Sequence, residues 1–345
     1  MCCLHDLLDE SKCYEEVRRK RWSHGVRCPR CTSNKINPRG KSHRRQARRR
    51  YSCKNCGKRF DDLTGTIFMG RHQSLSVWLA YLYLMGLNLS NRQIARELNL
   101  DESDGQAMAE QLRDGIVRRR SPVRMSGVVE CDEVYVVAGH KGRPDHIKGR
   151  IPRRRRLQGA PGRGTLAKEK PPIFGMIERG GEVRIVMLEN VQQQTIRPFI
   201  EATIEPGTVV NTDEYVIYET LPRWGYVRKS VCHDRGEYAR DEDGNGFHEV
   251  HVNTMEGFWS LLRSWLRPHR GISQEKLPIY LGFFEFAHNV GRRGRALLGS
   301  LLDTLLQPVA CPQNPMAQSG FQTVEDGSPS RRAGATLYRF RTTVT

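Results

Sequence analysis

The sequence predicts an α/β catalytic region preceded by a small cysteine-pinned module and a helical segment. Three observations carry this. Two Cys-x-x-Cys pairs lie close together before residue 60. Helix signals crowd residues 69–120. From Val128 onward, β-rich runs alternate with helical stretches, the pattern of a sheet covered by helices.

At roughly 100–200 residues per domain, 345 residues suggest two or three domains. Residues 1–27 read as a helical lead-in, with Leu4, Leu7, Leu8, Tyr14, Val17 and Trp22 apolar. Residues 28–68 hold Cys28-Pro-Arg-Cys31, 21 intervening residues, and Cys53-Lys-Asn-Cys56. That spacing leaves room for a hairpin between two knuckles, with Phe60 padding a small core. Residues 69–120 begin with Leu75–Leu87, apolar nearly all round, which suits a buried helix. Ser90-Asn-Arg-Gln93 is a capping-box pattern, Asn99-Leu-Asp101 a turn, and Ser103 a candidate cap for a third helix. Two short helices around a tight turn suggest helix-turn-helix, with residues 103–116 the better candidate for a major groove.

Residues 121–307 turn to strands. Val128–Val137 is β-rich, and Arg179-Gly-Gly-Glu182 joins two short runs as a hairpin. Residues 196–204 read as a helix, 208–213 as a strand ending on an acid, and 226–231 as a further strand. A helix from Asn253 to Leu266 stops before Pro268, and an aromatic helix covers 277–289. Residues 140–170 are basic and rich in Gly and Pro, which suits a mobile insertion. Residues 308–345 carry the composition of a disordered tail.

Net charge is +18 and is distributed unevenly. Residues 17–60 hold 17 Lys/Arg and no acid; residues 140–170 hold 11 Lys/Arg and two acids. Two such patches point to a polyanion partner, most often nucleic acid. Arg44, Arg45, Arg48, Arg49 and Arg50 in the first patch, and Arg153, Arg154, Arg155 and Arg156 in the second, are candidate phosphate contacts. No apolar run reaches the ~20 residues of a membrane helix, and the N-terminus lacks the pattern of a secretory signal. The expectation is a cytoplasmic, nucleoid-associated protein with no membrane partner. Its ten cysteines then read as reduced, and two knuckles at this spacing favour structural Zn²⁺ on Cys28, Cys31, Cys53 and Cys56 over a redox dithiol.

Three acids stand in unusual places. Asp132 lies mid-strand among apolar residues, Asp213 ends another strand, and Glu256 lies in the first turn of a helix. Carboxylates in strands are costly to bury unless paired or bound to a cation. Converging, three could hold two Mg²⁺ ions for in-line attack on a phosphodiester. Other readings stand beside this one. Glu130 shares the face of Asp132 and Glu133 adjoins it; Glu214 follows Asp213; and Asn253-Thr-Met-Glu256 is itself a capping-box spacing. Arg263 lies two turns beyond Glu256, where it can meet phosphate.

Taken in order, these segments resemble a known family. Cys28-Pro-Arg-Cys31, Tyr51-Ser-Cys53-Lys-Asn-Cys56-Gly-Lys-Arg-Phe60 and Leu63-Thr-Gly-Thr-Ile-Phe68 are similar to the N-terminal zinc ribbon of a group of bacterial insertion-sequence transposases. Glu130-Cys-Asp132-Glu133-Val-Tyr135, Asn211-Thr-Asp213-Glu214-Tyr215 and His251-Val-Asn253-Thr-Met-Glu256-Gly-Phe-Trp259 resemble the three segments of their DDE domain. The resemblance covers roughly residues 25–295.

It implies a ribonuclease H-like fold with Asp132, Asp213 and Glu256 binding catalytic Mg²⁺ or Mn²⁺, and Arg263 in the basic position that often follows the third acid. Some relatives carry Asn at the third acid, which makes Asn253 an alternative contact. The implied activity is hydrolytic nicking at the ends of a DNA element, then transfer of the freed 3′-OH into target DNA. The implied partners are double-stranded DNA, at the element ends and the target, and further copies of the chain as a dimer or larger assembly. Two other functions fit the same motifs: a non-catalytic zinc-ribbon DNA-binding regulator derived from a transposase, and a related nuclease that cleaves without joining.

Overall fold

The computed structural model describes residues 5–43, 46–140, 164–167, 169–232, 236–242, 244–246, 248–269, 271–291 and 294–307. The tail at 308–345, Arg44, Arg45 and most of the basic insertion, Arg153 to Arg156 included, lie outside them.

Helix α1 (Glu10–Arg21) starts where the Asp9 carboxylate accepts from the backbone N–H groups of Ser11 and Lys12. Strands β1 (Ile36–Lys41), β2 (Arg49–Cys53) and β3 (Arg59–Asp61) form an antiparallel ribbon after it. Tyr51 stacks on Phe60 with ring centroids 5.3 Å apart, and Trp22 meets Tyr51 edge-on at 5.2 Å, so the predicted Phe60 core is present.

The ribbon is tied to α1 through Asp62, whose side chain is fully buried. Its carboxylate accepts from Arg18 Nη1 at 3.0 Å, Arg49 N–H at 2.6 Å and Tyr51 O–H at 3.2 Å.

Helices α2 (Leu75–Gly86), α3 (Asn91–Glu97) and α4 (Glu102–Val117) follow. The Ser90/Gln93 capping box forms as the sequence predicts. The third helix differs: Asp101, not Ser103, is its N-cap residue, and Ser103 lies exposed inside the first turn. Asn99 closes the turn between α3 and α4 in the left-handed region, at φ 49°, which Asn tolerates.

Strand β4 (Val128–Tyr135) opens the main sheet, followed by the hairpin β5 (Pro172–Glu178) and β6 (Val183–Met187). Helix α5 (Gln193–Thr203), β7 (Val209–Thr212) and β8 (Val227–Ser230) come next. A short ladder of β9 (Ala239–Arg240) and β10 (Val250–His251) leads into α6 (Asn253–Leu266), α7 (Leu277–Val290) and α8 (Gly294–Leu306). The sheet order is β6-β5-β4-β7-β8. β4 pairs antiparallel with β5 and parallel with β7, and β7 runs parallel to β8, so the sheet is mixed.

Alternation along β4 sends Val129 and Cys131 to one face, where they pack with Ile196 and Ile200 of α5. Val134 points the other way, onto Met255, Phe258, Trp259 and Leu262 of α6 and Leu281 of α7. These α6 side chains recur at helical spacing, and burying each contributes about 1.5–3 kcal/mol. A side chain at Gly175 would collide with this layer: a Cβ there would lie 2.0 Å from Met255 Cε and 2.5 Å from Trp259 Cη2.

A second core joins α1, α2, α4 and α8, with Phe283 of α7 entering it while Phe284 enters the core under the sheet. Helix α8 therefore packs with the N-terminal helices, although in sequence it closes the 121–307 segment.

Candidate metal centres and carboxylate site

The four knuckle cysteines converge. Cys28 Sγ lies 3.6 Å from Cys56 Sγ, Cys31 Sγ lies 3.6 Å from Cys53 Sγ, and all four sulfurs fall within 4.8 Å of one another. Local backbone makes this possible. Thr32 at φ 57° and Gly57 at φ 70° close the two knuckle turns, with Thr32 N–H on Cys28 O and Gly57 N–H on Cys53 O.

Burial raises the Cys28 thiol, but the backbone N–H groups of Arg30 and Cys31, together with the side chains of Cys56 and Cys31, hold the pKa below the ordinary range. For Cys56, the Lys58 N–H lowers the pKa, yet desolvation and the sulfurs of Cys31, Cys28 and Cys53 push it up to about 12. Four sulfurs this close cannot all ionise without a cation. One divalent zinc relieves that conflict, and tetrahedral thiolate ligation is its preferred structural site.

The basic run around the knuckles divides into two sets. Arg18 pairs with Asp62, Arg19 with Glu16, Lys20 with Asp303 and Arg48 with Asp61. Arg21 donates to the backbone carbonyls of Asp62 and Thr64. Arg49 and Arg50 face solvent, and so do Arg39, Lys41, Lys54, Lys58 and Arg59. In the helix pair, the outward first turn of α4 carries Glu102 and Asp104, and Arg92 is held to Glu102 at 2.6 Å.

Asp132 sits on β4 and Asp213 directly follows the adjacent parallel strand β7. Glu256 lies exposed in the first turn of α6. The indole N–H of Trp259, on the same helix, donates to Asp132 Oδ2 at 2.9 Å. Burial pushes the Asp132 carboxyl up to about 6; the Glu133 backbone N–H and Trp259 oppose this, and the charges of Asp213 and Glu256 add to it. Among the described residues, neither Asp132 nor Glu256 has an ion-pair partner. The carboxylates are near enough to repel. Among the described residues, however, only the four cysteines gather three or more ligand atoms within 4.8 Å. An open carboxylate set suits a cation that keeps water and substrate oxygens as its other ligands.

The neighbouring acids are engaged elsewhere. Glu130 is completely buried and accepts from Arg179 Nε at 2.7 Å, Thr254 Oγ1 at 2.8 Å and Met255 N–H at 2.9 Å. Glu133 points to the opposite face and accepts the Tyr218 hydroxyl. Nor is Glu256 part of a capping box on Asn253. The helix N-cap is Val252, no side chain caps it from that position, and Asn253 is its exposed first residue. Arg263 lies exposed on the same helix. The Trp259–Asp132 contact and the Arg179 anchor have no periodic signal in the sequence, because both depend on how α6 settles on the sheet.

The mixed sheet between helices and the four-thiol ribbon together define a protein that joins a zinc-ribbon module to an α/β domain. Residues 8–59 match the transposase zinc-ribbon domain, and residues 124–289 match the ISXO2-like transposase domain. The chain is 34% identical over 290 residues to an uncharacterized protein in transposable element ISH50 of Halobacterium salinarum, spanning 83% of this chain and 93% of that one. It is 28% identical over 108 residues to an uncharacterized transposase-like protein of Haemophilus influenzae, spanning 31% of this chain and 81% of that one. Among solved structures, the Mos1 strand transfer complex aligns over 66% of this chain and 74% of that one, at 13% identity and a TM-score of 0.26, too loose a likeness to build on. The chain belongs to the ISXO2-like transposase family. Among the described residues, no helix is long and apolar enough to cross a membrane.

Proposed function

We propose that this transposase-family protein carries out both chemical steps of DNA transposition: metal-dependent strand cleavage at element ends and transfer of the new 3′-OH into target DNA. The domain is read as ribonuclease H-like, with Asp132, Asp213 and Glu256 as its triad. The observation that supports this reading is the parallel pairing of β4 with β7, at whose end Asp213 lies near enough for its charge to act on Asp132, while Trp259 ties the helix of Glu256 to Asp132.

The three carboxylates would hold Mg²⁺ or Mn²⁺. When bound, the cation supplies Lewis-acid polarisation of the scissile phosphate and activation of the attacking hydroxyl. The protein's own part is positional. Trp259 fixes the Asp132 carboxylate and favours its ionised form. Arg263, on the exposed side of α6, would neutralise a strand laid along the helix. The exposed ribbon residues Arg39, Lys41, Arg49, Arg50, Lys54, Lys58 and Arg59 would grip backbone phosphate. Phosphate contact is assigned to the ribbon ahead of the α3–α4 pair because the outward start of α4 is acidic. Joining two ends calls for a dimer or larger assembly on double-stranded DNA.

The test supplies purified protein with duplexes carrying the DNA that flanks its gene, and with plasmid target. Nicked and joined products that require Mg²⁺ or Mn²⁺ are expected. Nicking without joining, when a free 3′-OH end is supplied, would reduce the protein to a nuclease. Tight binding without either product would make it a regulator.

A further inference from the structure

Glu130, Asp132 and Asn211 of the central strands all contact residues 251–259, the segment that leads into and forms α6. Asp132 on β4, and Asp213 just past the end of β7, stand further along the chain. Two residues earlier on the same strands come Glu130 and Asn211, which are register partners across β4 and β7. Both are buried, at 0% and 1% exposure, and neither needs to meet substrate.

Both grip the same segment of chain. Glu130 accepts from Thr254 Oγ1 and from the Met255 N–H in the first turn of α6. Asn211 Nδ2 donates to the His251 carbonyl at 3.2 Å. Arg179, paired with Glu130, donates through Nη1 to the Glu249 carbonyl at 2.5 Å and through Nη2 to the His251 carbonyl at 3.0 Å. Helix α6 has no side-chain cap on its N-cap residue; the carboxylate comes from the sheet instead. A carboxylate at that end satisfies orphan N–H groups and complements the helix dipole.

We propose that Glu130 and Asn211, joined by Arg179, are positioning residues that index residues 249–255 against β4 and β7 and so set where Glu256 stands relative to Asp132 and Asp213. The inference rests on the triad reading above. Its logic is leverage. Met255 directly precedes Glu256, and each anchor is about 7 Å along its strand from the acid it serves. Slack in the anchors therefore passes straight into the spacing of the carboxylates. Partners that orient metal ligands in this way typically govern metal affinity or rate by roughly 10–100-fold.

The test compares full-length wild type with Glu130→Gln, Asn211→Ala and a control, Asp132→Asn. Glu130→Gln keeps the shape and an acceptor for Met255 but loses the charge facing Arg179. Three properties are read: single-turnover nicking of the flanking-DNA duplex as Mn²⁺ is titrated, affinity for that duplex without metal, and amide hydrogen exchange over residues 249–256. For both positioning variants, unchanged affinity is expected, with faster exchange confined to that segment, nicking slowed roughly 10–100-fold, and a Mn²⁺ midpoint moved to higher concentration.

Wild-type nicking and midpoint in both, beside an inert Asp132→Asn, would overturn the inference and leave the triad standing. An Asp132→Asn protein that nicks normally would overturn the triad and this inference with it. If Glu130→Gln does not fold, Asn211→Ala carries the same comparison, and a wild-type midpoint there is the contrary result.

Discussion

Trp259 Nε1 lies 2.9 Å from Asp132 Oδ2 and donates to it, binding α6 to the strand it packs on. The contact stabilises the ionised carboxylate, in opposition to burial and the charges of Asp213 and Glu256. Trp259→Phe removes the donor and keeps most of the apolar surface. The Asp132 carboxyl then rises further, so the acid limb of the pH–rate profile for nicking moves to higher pH. An unmoved limb would show that Asp132 does not govern it.

Gly175 is the register partner of Asp132 on β5 and lies beneath the same indole. Gly175→Ala forces Met255 and Trp259 outward. Overpacking of this kind costs about 1–3 kcal/mol, so a lowered unfolding midpoint in urea is expected. Nicking should fall by more than stability accounts for, since α6 is displaced from β4.

Asp62 is the joint between α1 and the ribbon. Asp62→Ala strands the Arg18 guanidinium, the Arg49 N–H and the Tyr51 hydroxyl together. Removing one partner from a buried pair costs about 3–5 kcal/mol. Calorimetry should show early melting of the ribbon end, with the sheet transition less affected.

His269 gives the fold an acid-sensitive point. Burial, helped by Arg113, pushes its pKa from 6.5 down to about 3. The ring is 2.9 Å from Asn88 Oδ1, and its centroid is 4.9 Å from that of Trp265. Between those pH values the unfolded chain takes up a proton and the folded chain does not. This contribution is therefore complete above pH 6.5 and is lost as pH falls toward 3, by on the order of 4 kcal/mol. His269→Gln should flatten the slope of stability against pH in that window; an unchanged slope would place the acid sensitivity elsewhere.

Zinc should be present at about one per chain. A Cys28→Ser/Cys53→Ser protein should contain none and lose affinity for DNA while the far-ultraviolet signal of the sheet persists. Retained zinc would remove the four cysteines from the site.

Much of this architecture is legible in the residues. The knuckle spacing announces the ribbon, alternation announces β4, and Arg179-Gly-Gly-Glu182 announces the β5–β6 hairpin. Local chemistry fixes each of these. What pattern could not settle was the choice among neighbouring carboxylates. Glu130 and Asp132 share one face of a strand, and only the arrival of α6 distinguishes them: Met255 and Thr254 engage the first, Trp259 the second. The basic run likewise reads as one phosphate-binding surface. Asp61, Asp62, Glu16 and Asp303 come from elsewhere in the chain to occupy part of it. The destination of α8 was hidden for the same reason, since an amphipathic helix does not name its partner.

The proposed role of Asp132, Asp213 and Glu256 is to act as one metal-binding centre for both DNA steps. It is tested most directly by comparing wild type with Asp132→Asn, Asp213→Asn and Glu256→Gln for binding, nicking and joining of the same flanking-DNA duplex in Mn²⁺. All three variants should bind as the wild type does, and none should nick or join. Joining retained by any one of them would contradict it.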